Sequence, residues 1–370
     1  MKTILFFIPS LGGGGAERVL VNLVNNLDSN KYRITVQTLF DDNGVNKVNL
    51  SEKIEYKYCF KRTFRANARI LTLFTPHKLY KHFIGKRYDI VVSYLEGPTA
   101  RIISGCSYND SKLINWVHVE QHSLEAASYS YRSKKEFQRC MNRYDHTVCV
   151  AKSVQHDLEK IIDLNHPCHV LYNVNEQETI ISKGQETILD GVFSDSVNIV
   201  SVGRLVHEKG YDRLVKVHKR LLDHGIKHNV YILGTGNQDS YIKSLINKYD
   251  VVNTFHLLGF QSNPYKYVSK ADLFVCSSRR EGFSTAVTEA LLLNLPVVST
   301  LCSGAHELLG RNNEFGIVTT NDEDGLFEGL YQILTTKDLL SYYKSQATER
   351  AKEFCKEQTV KTIESFIDSL

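Results

Sequence analysis

Two glutamates, Glu281 and Glu289, stand eight positions apart in SSRREGFSTAVTEALLLNLPVVST, residues 277–300. The first precedes a glycine. The second sits among Ala286, Val287, Ala290, Leu291, Leu292 and Leu293. A carboxylate in apolar surroundings needs a hydrogen-bond partner. LFVCSS reads as a strand and RREGF as a turn, and a helix is predicted from about Ser284. An acid favours a helix N-terminus, but that effect fades past the first turn; it accounts for Glu281 better than for Glu289. Were both residues helical, they would lie ~12 Å apart along the axis. That is too far for the ~5 Å carboxylate pair of a retaining glycosidase. It suits a grip on two ends of an extended ligand whose hydroxyls partner the buried carboxylate. On this segment alone a structural role stays open.

A second cluster is GRLVHEKG, with Gly203, Arg204 and Lys209. Solvated basic residues in a loop are the plain reading. The loop, however, follows an apolar run and opens a helix, where free backbone N–H groups attract phosphate. A forked guanidinium and an ammonium there would complete a diphosphate cradle. LGTG, with Gly234 and Gly236, gives a second close backbone approach after a strand. GGGGAER, with Gly13, Gly14 and Gly15, fits neither the G-x-G-x-x-G pattern nor a P-loop. It reads as a flexible turn or as a close approach to a ligand. His118, in WVHVE, follows an apolar strand, at the end where such sheets bind ligands; a lone histidine is more often structural than catalytic. Asp322–Asp324 imitate a metal-binding D-x-D but precede a predicted helix, and are read as capping acids. No metal-ligand set is expected.

The elements that must position these residues follow one pattern in both halves. Thr3–Ile8 is an apolar run entering SLGGGG, then a helix carrying Val19, Leu20, Leu23, Val24 and Leu27. DIVVSYL, KLINWVH, HTVCVA and HVLYN follow as strands. In the second half NIVSVG leads through RLVHEKG to a helix from Tyr211 that stops near Gly225. NVYILG, TFHLLG, DLFVCS, PVVST and GIVTT follow. Near-continuous apolar strands alternating with helices predict parallel sheets covered on both faces. The fold class is therefore α/β: two doubly wound Rossmann-like domains, 1–180 and 181–350, facing across a cleft. Residues 173–196 form the expected linker, and a helix in 351–370 is expected to pack back toward the N-terminal domain. Ligands of such sheets sit at the carboxyl ends of the strands.

Composition narrows the classes. At 370 residues the chain is long for one core. A net charge of +4 leaves no global nucleic-acid footprint. The eight cysteines include no C-x-x-C pair, which argues against zinc and a disulfide framework and for a reducing cytosol. No apolar run approaches the ~18 residues of a membrane span.

In order, GAER, WVH, GRLVHEKG, LGTG, LLGF, EGFSTAVTEAL and SGAHELLG resemble the retaining GT-B glycosyltransferases of family 4, particularly those that build bacterial surface polysaccharide. The resemblance spans nearly the whole chain, and its specific part is the E-x7-E element with the upstream R-x4-K. Ser284 stands where glycine is common, and Leu293–Asn294 replace a frequent Cys-Gly. The resemblance implies that Gly203, Arg204 and Lys209 hold the diphosphate of a nucleotide sugar, a UDP-sugar first among donors, with no cofactor. Glu281 and the amides of Gly282, Phe283 and Ser284 would hold the transferred sugar, and Glu289 the ribose. Leu258–Phe260 would lie near the base. His118 and Gly13–Gly15 would face sugar and phosphate from the acceptor domain. The acceptor would be a glycan or a polyprenyl-diphosphate-linked oligosaccharide, and catalysis would be metal-independent.

From residue 56 to 88 there is no acid, but nine basic residues: Lys57, Lys61, Arg62, Arg65, Arg69, Lys78, Lys81, Lys86 and Arg87. Aromatic and aliphatic residues interleave them. This suits contact with an anionic inner membrane from the cytoplasmic side; a solvated face over a core is the other reading. Three further functions are weighed. One is a GT-B-fold sugar-nucleotide epimerase or hydrolase. Another is a Rossmann oxidoreductase using Asp41 or Asp42 for ribose, against which the missing third glycine counts. The last is a silent sugar-nucleotide binder.

Overall fold

The computed structural model describes residues 1–41, 44–188, 192–193 and 195–370. Asp42, and positions 189–191 and 194 of the expected linker, lie outside the described residues. The chain forms two compact units. Unit 1 is Met1–Val174 with Glu357–Leu370, and unit 2 is Asn175–Lys356.

Unit 1 is built on seven strands: β1 (Lys2–Ile8), β2 (Tyr32–Phe40), β3 (Glu55–Phe60), β4 (Ile90–Ser93), β5 (Lys112–Val117), β6 (His146–Cys149) and β7 (Cys168–Val170). They form one parallel sheet in the order β3-β2-β1-β4-β5-β6-β7. The apolar runs explain the central strands: all four residues of β4 are buried, and so are the last five of β1. β3 is different. It lies at the sheet edge with charged Glu55 and Lys57 and no fully buried residue, so its sequence carries no apolar run to announce a strand. One face packs Leu5, Phe7, Val91 and Leu113 against Leu71, Leu79, Tyr80, Ile102 and Ile103. The helix Lys356–Asp368 belongs to this unit: Tyr32 donates to Asp368 at 2.5 Å, Lys2 reaches the Ile367 carbonyl, and Phe366 lies on His169.

Unit 2 holds β8 (Val197–Val202), β9 (His228–Leu233), β10 (Phe255–Gly259), β11 (Leu273–Cys276), β12 (Val297–Thr300) and β13 (Ile317–Thr319). These are also all parallel, in the order β10-β9-β8-β11-β12-β13. The helix Tyr211–Asp223 buries Leu214, Val215, Val217 and Leu221 on this sheet. The division between units falls after Val174 rather than at 180. The reason is the helix Gln177–Gly184, inside the expected linker, which packs Ile180 beside Leu292 and accepts a hydrogen bond from Ser269 at the Gly184 carbonyl.

In each sheet the strand order reverses once, between β1 and β4 and between β8 and β11. At such a switch point the loops leaving the two strands diverge and open a crevice at their carboxyl ends. The Gly-rich loop and Leu95–Glu96 leave the first. Gly203–Gly210 and Ser277–Ser284 leave the second. Among the described residues no helix is long and apolar enough to cross a membrane.

Candidate active site

In unit 2 the two loops at the switch point are joined by one ion pair. Lys209 Nζ donates to Glu281 Oε1 at 2.5 Å, and Ser278 Oγ donates to the same oxygen at 2.5 Å. Burial alone would lower the Lys209 pKa, but the Glu281 carboxylate outweighs it and raises the lysine above its ordinary range. Lys209 is therefore a fixed cation at the strand ends.

Several contacts fix that geometry. Lys209 lies on the one-turn 3-10 helix His207–Lys209, and Ser277 Oγ donates to its carbonyl at 2.9 Å. Arg279 pairs bidentately with Asp212 at 2.7 Å and also reaches the His207 carbonyl. Gly210, at φ +66°, starts the next helix where a Cβ would stand 2.1 Å from the Ser277 carbonyl oxygen, so only glycine fits. Arg213 lies beneath the site, buried. Its guanidinium donates to the carbonyls of Ser277, Ser278 and Asn321 and to Thr300 Oγ1, tying together the carboxyl ends of three strands. Such a planar fork is what several carbonyls at once require.

Arg204 is exposed, and among the described residues its side chain makes no hydrogen bond or ion pair. Arg204 and Lys209 thus offer one open and one anchored cation on a loop that begins a helix. Gly203 lies beneath the Lys209 stem; a Cβ there would meet Lys209 Cε at 3.2 Å. At Gly234 the close backbone approach is made to the protein's own chain. Its missing Cβ is the space taken by the Gly203 carbonyl, 2.0 Å from where that Cβ would be. It seats the Arg204 loop.

Glu281 precedes the helix Thr285–Leu292, so the condition for a ~12 Å axial separation is not met. Ser284 caps that helix, its Oγ accepting from the Val287 amide. Glu289 lies inside the helix, 6% exposed. The Tyr265 hydroxyl donates to its Oε1 at 3.2 Å. Part of the partner requirement of that carboxylate is thus met within the protein. Phe283 is buried against Phe354. Gly282 lies at the strand ends between Glu281 and Phe283. The Leu258 carbonyl accepts from Gln261, while Phe260 is exposed.

In unit 1 His118 begins the loop leaving β5. It is 5% exposed, its ring 4.7 Å from that of Tyr94. Burial lowers its pKa to about 3, so it is a neutral imidazole, and its Nε2 has no hydrogen-bond partner among the described residues. Glu96 Oε1 holds the loop by accepting from the amides of His118 and Val119, the latter at 2.8 Å. The Gly-rich loop leads into the helix Gly15–Asn26, with Gly14 as its N-cap, and a Cβ on Gly13 would meet open space.

The oxidoreductase alternative loses Asp41, while the capping reading of Asp322 holds. Asp41 accepts from Lys47 and Tyr56 at 2.8 Å each, and the lysine foremost holds its pKa down, so it is engaged rather than offered to a ribose. Asp322 caps the helix Glu323–Thr335, while Glu323 and Asp324 pair with Lys216 and Arg220. Ser278, Arg213 and Tyr265 carry no signal of their own in the sequence. Each is found only once the topology sets it beside Glu281, the strand ends or Glu289.

Residues 13–174 match Glycosyltransferase Family 4, and residues 190–350 match Glycosyl transferases group 1. The N-acetylgalactosamine-N,N'-diacetylbacillosaminyl-diphospho-undecaprenol 4-alpha-N-acetylgalactosaminyltransferase of Campylobacter jejuni is 29% identical over 96% of each chain. The amylovoran biosynthesis glycosyltransferase AmsD of Erwinia amylovora is 23% identical over 98% of each chain. In structure, the chain is similar to Anabaena HepE, solved in complex with UDP-glucose. The TM-score is 0.79 and the identity 18%, with 100% of both chains covered.

Proposed function

The chain belongs to the family 4 glycosyltransferases, and from that premise we propose a retaining transferase acting in bacterial surface polysaccharide synthesis. It moves a hexosyl or N-acetylhexosaminyl group from a nucleotide-diphosphate sugar, a UDP-sugar first, to a lipid-linked glycan. The observation that carries this reading is the Lys209–Glu281 pair across the β8 and β11 loops, beside the open Arg204.

Arg204 and Lys209 hold the donor diphosphate. An ammonium has three donors, so Lys209 can keep Glu281 and still bind phosphate oxygen. Glu281, with the amides of Gly282, Phe283 and Ser284, holds the transferred sugar, and Glu289 holds the ribose. Leu258–Phe260 lie near the base. As the bond from the anomeric carbon to the phosphate oxygen breaks, both electrons stay on the diphosphate, and the two fixed cations stabilise that growing charge. The acceptor hydroxyl attacks the same face, and its proton passes to the departing phosphate oxygen. No metal is required. Unit 1 takes the acceptor, with neutral His118 as a hydrogen-bonding rather than ionic group and Gly13–Gly15 as a close backbone approach. The polyprenyl-diphosphate-linked acceptor of the Campylobacter relative supports a lipid-linked acceptor here. The basic segment 57–87 then meets the anionic inner membrane from the cytoplasmic face.

A thermal-shift screen of nucleoside diphosphates and their sugars tests this. A ligand at 100 times its Kd adds ~2.7 kcal/mol, and stabilisation by UDP with loss of the effect in Arg204→Ala is expected. Stabilisation by NAD(P) alone would refute it, and nucleotide release without any acceptor would favour an epimerase or hydrolase.

A further inference from the structure

The segment 57–87 contains an exposed apolar point. Between the helices Asn67–Thr72 and Pro76–Phe83 the chain turns at Leu73 and Phe74, which are 75% and 50% exposed, with Ile70 beside them. The same segment carries exposed basic side chains before and after the turn: Lys61, Arg62, Arg65, Arg69, Lys78 and Lys81.

A six-residue helix followed by a turn would ordinarily leave its last carbonyls to water. Here none from 69 to 75 is left to water. The Arg69 carbonyl accepts from Thr72 Oγ1, Ile70 from the Leu73 amide and Leu71 from the Phe74 amide. Arg101 donates to the carbonyls of Leu71 (3.1 Å) and Phe74 (2.8 Å). Arg132 donates to those of Thr72 and Leu73, the latter at 2.8 Å. The Thr75 carbonyl accepts from the Leu79 amide. Two guanidinium forks from another part of the unit therefore grip four consecutive carbonyls of the exposed turn.

Arg101 is itself 1% exposed and pairs with buried Glu136 at 2.9 Å. A buried ion pair is weak evidence for stability, since apolar replacements are often as stable. What this pair does is hold one backbone shape. Backbone entering an apolar phase must have its polar groups satisfied internally, and the carbonyls of the turn meet that condition in advance.

We propose that the Leu73–Phe74 turn is a preformed wedge that enters the interface of an anionic phospholipid bilayer, with the basic side chains of the segment meeting the headgroups. This rests on the membrane contact proposed above. It adds which residues cross the headgroup layer and what holds them. Charge draws the protein to the surface, while the apolar point gives a component of binding that salt does not screen.

The test uses the full chain and vesicles of phosphatidylcholine with phosphatidylglycerol. Wild type is expected to bind, and salt to weaken binding without abolishing it. Leu73→Ser with Phe74→Ser should lower the partition coefficient ~10-fold or more, since losing about 1.4 kcal/mol is tenfold, and what remains should be fully salt-released. In Phe74→Trp the emission should shift to the blue on vesicles and be quenched by brominated lipid; the native Trp116 is buried. Arg132→Lys keeps the charge but not the fork, and should reduce that shift. If wild type ignores anionic vesicles at low salt, the membrane reading falls and the wedge with it. If wild type binds but the double serine variant binds equally, and the indole of Phe74→Trp stays in water, the wedge alone is overturned. Equal binding to neutral vesicles, or displacement by pyrophosphate at constant ionic strength, also overturns it.

Discussion

Replacing Lys209 with methionine removes the ammonium while keeping most of the stem. Its effect can be worked out separately for folding and for chemistry. The Lys209 and Glu281 side chains are 23% and 12% exposed. That places the pair between an exposed ion pair, ~0.2–1 kcal/mol, and a buried one, where removing a partner costs ~3–5 kcal/mol. About 1–3 kcal/mol of stability should be lost. In a cooperative unit of this size that is roughly 2–12 °C, at ~2–4 °C per kcal/mol. Glu281→Gln in the same background should recover part of it, because no uncompensated carboxylate remains; a double-mutant cycle measures the coupling. The chemical effect is separate. If Lys209 faces the leaving diphosphate, its loss removes one preorganised charge from the transition state, worth ~10²–10³ in kcat, with a smaller rise in the donor KM. Melting curves and steady-state kinetics on the same preparation separate the two. A folded Lys209→Met variant with coupling to Glu281 but kcat within about twofold of wild type would refute the assignment and leave the pair structural.

The two glutamates should separate in the same way. Glu289→Gln should chiefly weaken binding of donor and free nucleoside diphosphate, whereas Glu281→Gln should impair turnover while the diphosphate still binds; calorimetry beside kinetics decides, and the opposite pattern means the donor lies reversed. Tyr265→Phe leaves the Glu289 carboxylate in place but removes its 3.2 Å donor, so donor KM should rise several-fold with kcat little changed; an unchanged KM would make Tyr265 irrelevant to the site. Stability of unit 2 should fall with acid. Burial, with His228 2.8 Å away, lowers the His218 pKa to about 3. Above the ordinary ~6.5 both states are neutral; below it only the unfolded chain takes the proton. That amounts to ~2 kcal/mol lost by pH 5, at ~1.4 kcal/mol per pH unit. Melting curves from pH 7.5 to 5 should show a slope that His218→Gln flattens, and an equal slope in the variant would contradict this. Activity should survive EDTA, and full loss rescued by Mn²⁺ or Mg²⁺ would contradict the assignment of charge stabilisation to Arg204 and Lys209.

The sequence made the two sheets legible because their central strands are buried on both faces and so read as unbroken apolar runs. The edge strand β3 escaped because Glu55 and Lys57 break up its apolar residues, none of them fully buried, and because most of it was absorbed into the basic segment. The helix Gln177–Gly184 escaped because few of its residues are buried. At the site, Glu281, Glu289, Arg204 and Lys209 were legible by type and spacing. The pairing of Lys209 with Glu281 was not, since it is made by topology across 72 positions. The same holds for Arg213, whose five donor contacts reach residues 64 to 108 positions away. Gly234 was legible as a glycine, but its reason, the carbonyl of Gly203 in the space of its side chain, exists only in three dimensions.

The central claim is that a sugar passes from a nucleotide diphosphate to a glycan with its anomeric configuration kept. The most direct measurement is nuclear magnetic resonance of the extended glycan made from an α-linked UDP-sugar and a polyprenyl-diphosphate-linked acceptor, with UDP release followed in parallel. An α linkage in the product and one UDP for each sugar transferred are expected. A β linkage, or UDP released with free sugar and no extended glycan, would contradict it.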